Sequence, residues 1–315
     1  MTPPAARAAP LVAIVGPTGA GKSALGIALA ERFGGEVVCC DSTQVYRSFD
    51  IGTAKLRPAE RRGIPHHLID LLEPHEVFTA GEYRLRALQV LDELRRRDKL
   101  PVFTVGTGLY LRALLEGLCG APTRSEEMRE RLRGIAGKRG RAHLHRLLAR
   151  LDPPAAARIA SQDVPKVIRA LEVRLLAGQT ITAIHQQGRP RLEGYVAVKI
   201  GLAPPRAALY QRIERRVETM LEAGWLDEVR QLVGSGISAD AKPFQFIGYD
   251  ALRAHLAGKL ALGDAVAAIK QATRRYAKRQ LTWFRREPGV RWFEGFGDDA
   301  ALVSAAEEYL EGKLL

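Results

Sequence analysis

Eight consecutive residues, Gly16-Pro17-Thr18-Gly19-Ala20-Gly21-Lys22-Ser23, constrain this chain more than any other stretch. They match G-x-x-x-x-G-K-[ST], a pattern that has structural meaning where a strand runs into it and a helix leaves it. Both flanks are present. Leu11 to Val15 is an apolar run rich in branched residues, and residues 22 to 32 put Leu25, Ala28 and Leu29 on one helical face before Gly34-Gly35. Glycines let successive N–H groups turn inward with no Cβ in the way. The helix N-terminus adds partial positive charge, Lys22 adds a full one, and the Ser23 hydroxyl suits Mg²⁺. The pattern predicts a phosphate-binding loop.

Further apolar runs at Glu36 to Cys40, Leu100 to Val105 and Tyr195 to Leu202 alternate with helical stretches such as Gly81 to Arg97. That alternation predicts an α/β fold with a parallel sheet flanked by helices. Residues 121–194 break the rhythm, with many Arg and helical periods at Met128 to Ile135, Ala142 to Leu151 and Val167 to Ala177. They read as a helical insertion domain between two parts of a catalytic core, 11–120 and 195–315. Residues 1–10 read as a frayed tail without a signal-peptide core.

Lys and Arg number 48 against 35 Asp and Glu, a net charge of +13 over 315 residues. With 46% hydrophobic residues the chain is too apolar for disorder, so the excess charge lies on a folded surface and suits a polyanion. No run reaches the length of a membrane helix. Three cysteines, Cys39, Cys40 and Cys119, form no disulfide framework, which points to a reduced, cytoplasmic protein. Adjacent side chains of His66-His67 diverge, with no ligand partner at zinc spacing. Residues 265 to 286 hold seven Lys and Arg and no acid, with Tyr276, Trp283 and Phe284 interleaved. Their helical spacing assigns those aromatics to the core, and the basic face predicts salt-dependent RNA binding.

The usual ligand of such a loop is ATP or GTP, so a nucleotide-binding kinase is the first reading, with Asp41 as a Mg²⁺ ligand or acceptor holder. An RNA-binding NTPase without group transfer is another. Other segments weigh against both: Asp41-Ser42-Thr43-Gln44-Val45-Tyr46, Asp50-Ile51-Gly52-Thr53-Ala54-Lys55, Pro65-His66-His67-Leu68-Ile69-Asp70, Gly106-Thr107-Gly108-Leu109-Tyr110, Ile247-Gly248-Tyr249 and Ala277 to Arg285. In that order and spacing, with the loop, the chain resembles the bacterial tRNA dimethylallyltransferases, also called tRNA isopentenyltransferases, from about Leu11 to Trp292.

The resemblance implies transfer of a dimethylallyl group from its diphosphate to the exocyclic amine of the adenine 3′-adjacent to the anticodon in tRNA. It implies that Gly16 to Ser23 hold the diphosphate, with Mg²⁺ near Ser23. Asp41 is then the general base, Thr107 a positioning group, and Arg216 a diphosphate ligand, with Arg212 one turn away as the alternative. It further implies tRNA contacts from Asp41, Ser42, Thr43, Gln44, Thr107 and Arg129, from Pro165, Lys166, Val167, Ile168 and Arg169, and from Phe244, Gln245, Gly248 and Tyr249. A monomer without an obligate protein partner or membrane attachment is expected on the same ground. The chain departs from the pattern in three places. Val105 stands where a glycine is usual, Phe244 to Phe246 add aromatics before Ile247-Gly248-Tyr249, and no Cys/His finger follows residue 292. A tunnel joining the glycine-rich turn to a broad cationic groove is the structural expectation.

Overall fold

An unbroken apolar run such as Leu11 to Val15 is satisfied in a strand covered on both faces. The structure, a computed structural model that describes residues 8–314, builds it that way. Leu11 through Val15 lie in β1 (Ala9–Val15) and are fully buried. The chain continues through α1 (Lys22–Arg32), β2 (Glu36–Cys40), β3 (His66–His67), α2 (Ala80–Arg96), β4 (Pro101–Val105) and α3 (Gly108–Glu116). Five helices follow: α4 (Glu126–Arg139), α5 (Arg141–Leu151), α6 (Pro153–Arg158), α7 (Val164–Ala177) and α8 (Ile181–Gln186). β5 (Tyr195–Leu202) then returns to the sheet. It leads to α9 (Arg206–Glu222), α10 (Trp225–Gly234), α11 (Tyr249–Leu256), α12 (Leu262–Phe284), β6 (Val290–Phe293) and α13 (Ala300–Leu314).

The six strands run parallel in the order β3-β2-β4-β1-β5-β6. Alternate residues along a strand face opposite sides. Val12, Ile14, Val37 and Val102 meet Leu25 and Leu29 of α1 and Leu302, Ala306 and Leu310 of α13 on one side. On the other side Tyr83 of α2 sits beside the Cys40 thiol and stacks on Tyr110 of α3 with ring centroids 4.5 Å apart. Two strands escape sequence reading. β3 is two histidines and β6 is four residues, and both are edges, where short strands suffice. The expected tail is shortened, because Ala9 and Pro10 pair with Tyr195 and Val196 of β5; residues 1–7 lie outside the described residues. No helix among the described residues is long and apolar enough to cross a membrane.

Residues 116–192 form a compact unit of their own, against 121–194 read from the sequence, and the remaining chain forms another. The smaller unit packs Leu132, Leu144, Leu148, Val167, Ile168 and Leu171 around a charged centre. Glu172, fully buried, accepts from Arg129 Nε and Nη2 (2.9 Å each), from Arg169 Nη1 (2.6 Å) and from the Ser125 amide (2.8 Å). Burial pushes this carboxyl up, but the donors outweigh it and hold it at about 2 instead of 4.5. A depressed carboxylate stabilises the fold above its unfolded value and ceases to as pH falls through its folded one. The contribution, about 3 kcal/mol by linkage, is therefore complete near neutrality and lost between pH 4.5 and 2. Thermal unfolding of Glu172→Gln should show its largest deficit at neutral pH, shrinking toward pH 2; a deficit independent of pH would contradict this.

Candidate active site

In an open parallel sheet the ligand crevice lies beyond the carboxyl ends of the strands. Here β1 delivers the glycine-rich loop there, β2 delivers Asp41, and β4, between them, delivers Gly106 and Thr107. Cys40 pairs with Val105, and the Cys40 carbonyl accepts from the Gly106 (3.0 Å) and Thr107 (2.9 Å) amides, which locks the two strand ends together. A Cβ on Gly106 would stand 1.9 Å from Asp41 Oδ2, so that backbone must carry none. Asp41 Oδ1 accepts from the Thr43 amide (2.8 Å) and hydroxyl (2.7 Å), while Oδ2 accepts no hydrogen bond among the described residues. The Thr107 hydroxyl accepts from the Ser42 amide (3.0 Å) and donates to Ser42 Oγ (3.1 Å), so its side chain is spent on Ser42 rather than on a helix cap.

Gly21 turns the loop into α1 at φ +86°, where a Cβ would also meet Gly297 N at 2.7 Å. Lys22 Nζ donates back to the Gly16 (3.0 Å) and Pro17 (2.9 Å) carbonyls. Burial lowers its pKa to about 8; Asp41 opposes that shift and Arg216 adds to it. These three charges face a cavity of about 470 Å³, walled also by Ser23, Gln44, Thr53, Gly106 and Gln280. Of the two candidate arginines on α9, Arg212 is committed: it forks onto Asp298 (2.8 Å twice) and stacks over Phe296 at 4.6 Å. Arg216 has no hydrogen-bond or ion-pair partner among the described residues, and burial followed by Arg212 lowers its pKa. Arg212 and Arg216 both line the first cavity, and of the pair Arg216 is the one whose guanidinium is uncommitted among the described residues.

A second cavity, of about 360 Å³, shares Thr18, Asp41, Thr53, Ala54, Arg216 and Tyr276 with the first. Its remaining wall sets the apolar Ile213, Val217, Met220, Trp225, Phe246 and Ile247 beside the polar Ser42, Thr43, Lys242, Gln245, Thr273 and Arg279. The segment before α11 contributes differently from its sequence reading. Phe244 and Tyr249 are core side chains, Phe244 edge-on to Phe49 at 5.5 Å and Tyr249 donating its hydroxyl to Glu228 at 2.6 Å. Gly248 lies against the Trp225 ring, where a Cβ would stand 2.1 Å from Cη2. Gln245, Phe246 and Ile247 line the cavity instead. Glu228 also accepts from the Asp50 (3.0 Å) and Ile51 (2.7 Å) amides, which sets Thr53 and Ala54 at the junction of the two cavities. Gln44 bonds the Thr53 carbonyl at 3.1 Å.

In the helical unit, Arg129 and Arg169 are bound to Glu172, and Val167 and Ile168 are buried in that unit's core, so only Pro165 and Lys166 of the 165–169 run are exposed. Arg129 is thus neither a free cation nor a solvated surface charge. His67 bonds Glu36 at 2.6 Å within the sheet edge, and no cluster of three potential metal-ligating His, Cys, Asp or Glu exists among the described residues.

Gln280 of α12 lies within the Ala277 to Arg285 segment that carries the resemblance, but no individual role is read for it from the sequence. Its Oε1 accepts from the Thr18 amide (2.8 Å) and its Nε2 donates to the Gly106 carbonyl (2.8 Å), tying the phosphate loop to the β4 end. Gln280→Leu leaves the half-buried Thr18 amide without its acceptor, costing about 1–3 kcal/mol, and leaves the Gly106 carbonyl only its longer bond from the Tyr276 hydroxyl (3.3 Å). A lower melting temperature and weaker diphosphate binding in calorimetry are expected; an unchanged loop affinity would contradict this.

Comparison with known proteins follows the same lines. The sequence model described as IPP transferase matches residues 44–287. A tRNA dimethylallyltransferase of Koribacter versatilis is 52% identical over 96% of this chain and 98% of its own, and one of Solibacter usitatus is 50% identical over 92% and 94%. The crystal structure of a full-length tRNA isopentenylpyrophosphate transferase from Bacillus halodurans superposes with a TM-score of 0.72 at 40% identity, covering 96% of each chain. A eukaryotic dimethylallyltransferase, solved in crystallographic snapshots of its action on tRNA, superposes with a TM-score of 0.80 at 26% identity, over 96% of this chain and 80% of that one.

Proposed function

This chain belongs to the IPP transferase family, and on that premise we propose that it moves a dimethylallyl group from dimethylallyl diphosphate to tRNA. The acceptor is the exocyclic amine of the adenine 3′-adjacent to the anticodon, and diphosphate is released. One observation carries the reading: Asp41, Lys22 and Arg216 converge where a cavity on the glycine-rich loop shares its wall with a second, more apolar one.

The adenine amine is a weak nucleophile because its lone pair is delocalised into the ring. An allylic diphosphate compensates, since breaking its C–O bond leaves a delocalised cation and puts the electron pair on diphosphate. Preorganised donors act most strongly where that charge develops. The loop amides, Lys22 and Arg216 hold the leaving group in the first cavity. The adenine, splayed from its stack, enters the second cavity past Gln245. The amine nitrogen bonds to the allylic carbon, and its proton passes to Asp41 Oδ2. Thr107 fixes Ser42 and with it the backbone beside Asp41. The Ser23 hydroxyl lines the first cavity, where Asp41 is the one carboxylate among the described lining residues, a sparse donor set that suits Mg²⁺ carried in by phosphate oxygens. Bound there, the ion supplies further charge neutralisation to the leaving diphosphate. Pro165, Lys166 and the loop around Gln245 present exposed groups to the RNA. The protein works in the cytoplasm as a monomer, without an obligate protein partner.

The experiment is incubation with labelled dimethylallyl diphosphate, ATP and an anticodon stem-loop bearing the acceptor adenine. Label is expected in the RNA; ATP turnover without labelled RNA would establish the kinase or NTPase reading instead.

A further inference from the structure

Arg212 lines the first cavity, yet its guanidinium is bound to Asp298, a residue outside that cavity's wall. The turn that carries Asp298, between β6 and α13, is seated on the phosphate loop by backbone alone. The Gly297 amide donates to the Ala20 carbonyl at 2.8 Å, and a Cβ on Gly297 would stand 2.5 Å from the Gly21 carbonyl oxygen. Asp299 closes this turn by accepting from the Phe296 amide at 2.9 Å. The Asp298 carboxylate is therefore not needed to shape it, and its side-chain partner among the described residues is Arg212. The two partners are 37% and 42% exposed, and ion pairs so open to water contribute little, even with forked geometry. The fork occupies two of the five guanidinium N–H groups. One helical turn away, the pKa of Arg216 is lowered by burial and then by Arg212, so the two cations repel one another at the same wall.

We propose that Asp298 is a positioning residue that competes with diphosphate for Arg212. When the diphosphate arrives, Arg212 turns from the carboxylate to the phosphate oxygens; when it leaves, Asp298 takes the guanidinium back. The inference rests on the first cavity holding a diphosphate, as set out above, and deepens that reading. A diphosphate carries more charge than one carboxylate and is held as well by the loop amides and Lys22, so it wins the exchange. Its entry between Arg212 and Arg216 also removes their mutual repulsion. Phe296 supports the face of the guanidinium at 4.6 Å and leaves its edges free to change partner. The competition subtracts from the affinity for diphosphate, which keeps the product from being held too tightly once the C–O bond has broken.

The test is titration calorimetry of the full chain with inorganic diphosphate and Mg²⁺ at about 0.15 M salt, where charges about 8 Å or more apart in water are largely screened. Asp298→Asn removes the charge and keeps the shape, and should raise affinity about fivefold, the upper end for a half-exposed ion pair. Arg212→Met should weaken binding, and in that background Asp298→Asn should change affinity less than about twofold, because the contested group is gone. In transfer assays Asp298→Asn should lower the KM for dimethylallyl diphosphate and tighten product inhibition by inorganic diphosphate to the same extent. A disordered turn would weaken binding, so the expected gain is not mimicked by misfolding. Unchanged or weaker diphosphate binding in Asp298→Asn, or an equal gain with and without Arg212, would overturn the competition. The expected gain in a protein that prenylates no RNA would instead sink the transfer reading and leave the competition standing.

Discussion

Asp41→Asn is expected to lower the single-turnover rate of prenyl transfer by about 10²- to 10⁴-fold, the range for a lost general base. Asparagine is the informative replacement because its carbonyl oxygen keeps both Thr43 hydrogen bonds of Oδ1 (2.8 and 2.7 Å). Only the atom beside Gly106 changes, from a carboxylate oxygen that takes a proton to an amide nitrogen that cannot. Affinity for dimethylallyl diphosphate should stay within a few-fold, since removing a negative charge from that cavity relieves repulsion with the ligand. The competing role for Asp41, holding Mg²⁺, predicts the reverse pattern: weaker, Mg²⁺-dependent diphosphate binding with a smaller effect on the bound-state rate. Rapid-quench kinetics with calorimetry separate the two.

Lys22→Met is the second large effect, a fall in kcat of about 10²- to 10³-fold, as for removal of one donor to a developing oxyanion. Its pH signature is distinctive. Burial first, and Arg216 after it, favour the neutral amine, so Lys22 in the free protein titrates near 8 instead of 10.5. Only the charged form attracts diphosphate. The kcat/KM for dimethylallyl diphosphate should therefore be level below pH 8 and fall as pH rises through it, since that ratio reports the free enzyme. The fall should vanish in Lys22→Met. A bound diphosphate restores the charge, so kcat itself should hold to higher pH. A kcat/KM that is flat to pH 10 would remove Lys22 from that role.

What sequence reveals of this site depends on how local each interaction is. The loop and Asp41 are legible because each sits at the end of an apolar strand, and strand-end position in a parallel sheet is itself a statement about where ligands bind. The strands buried on both faces are legible for the same reason, whereas β3, two histidines held at an edge, carries no apolar signal. Gln280 lies 262 residues from Thr18 and becomes a clamp only once the chain has folded. Arg212 and Arg216 share a helical face, and what distinguishes them is Asp298, far along the chain. Around Ile247 the composition shows aromatics but not their direction. Phe244 turns into the core with Phe49, and Phe246 turns to the cavity. Arg129 reads as a surface cation because its partner, Glu172, lies on another helix.

The most direct measurement pairs two anticodon stem-loops that differ in one ring substituent. One carries adenine after the anticodon and the other carries purine, which lacks the exocyclic amine. Each is mixed with excess protein and labelled dimethylallyl diphosphate for a single turnover. Both RNAs should bind, with one label per molecule appearing in the adenine RNA, diphosphate released in step, and none in the purine RNA. Label in the purine RNA, or in neither, would contradict an amine delivered to Asp41 opposite a diphosphate held on Lys22.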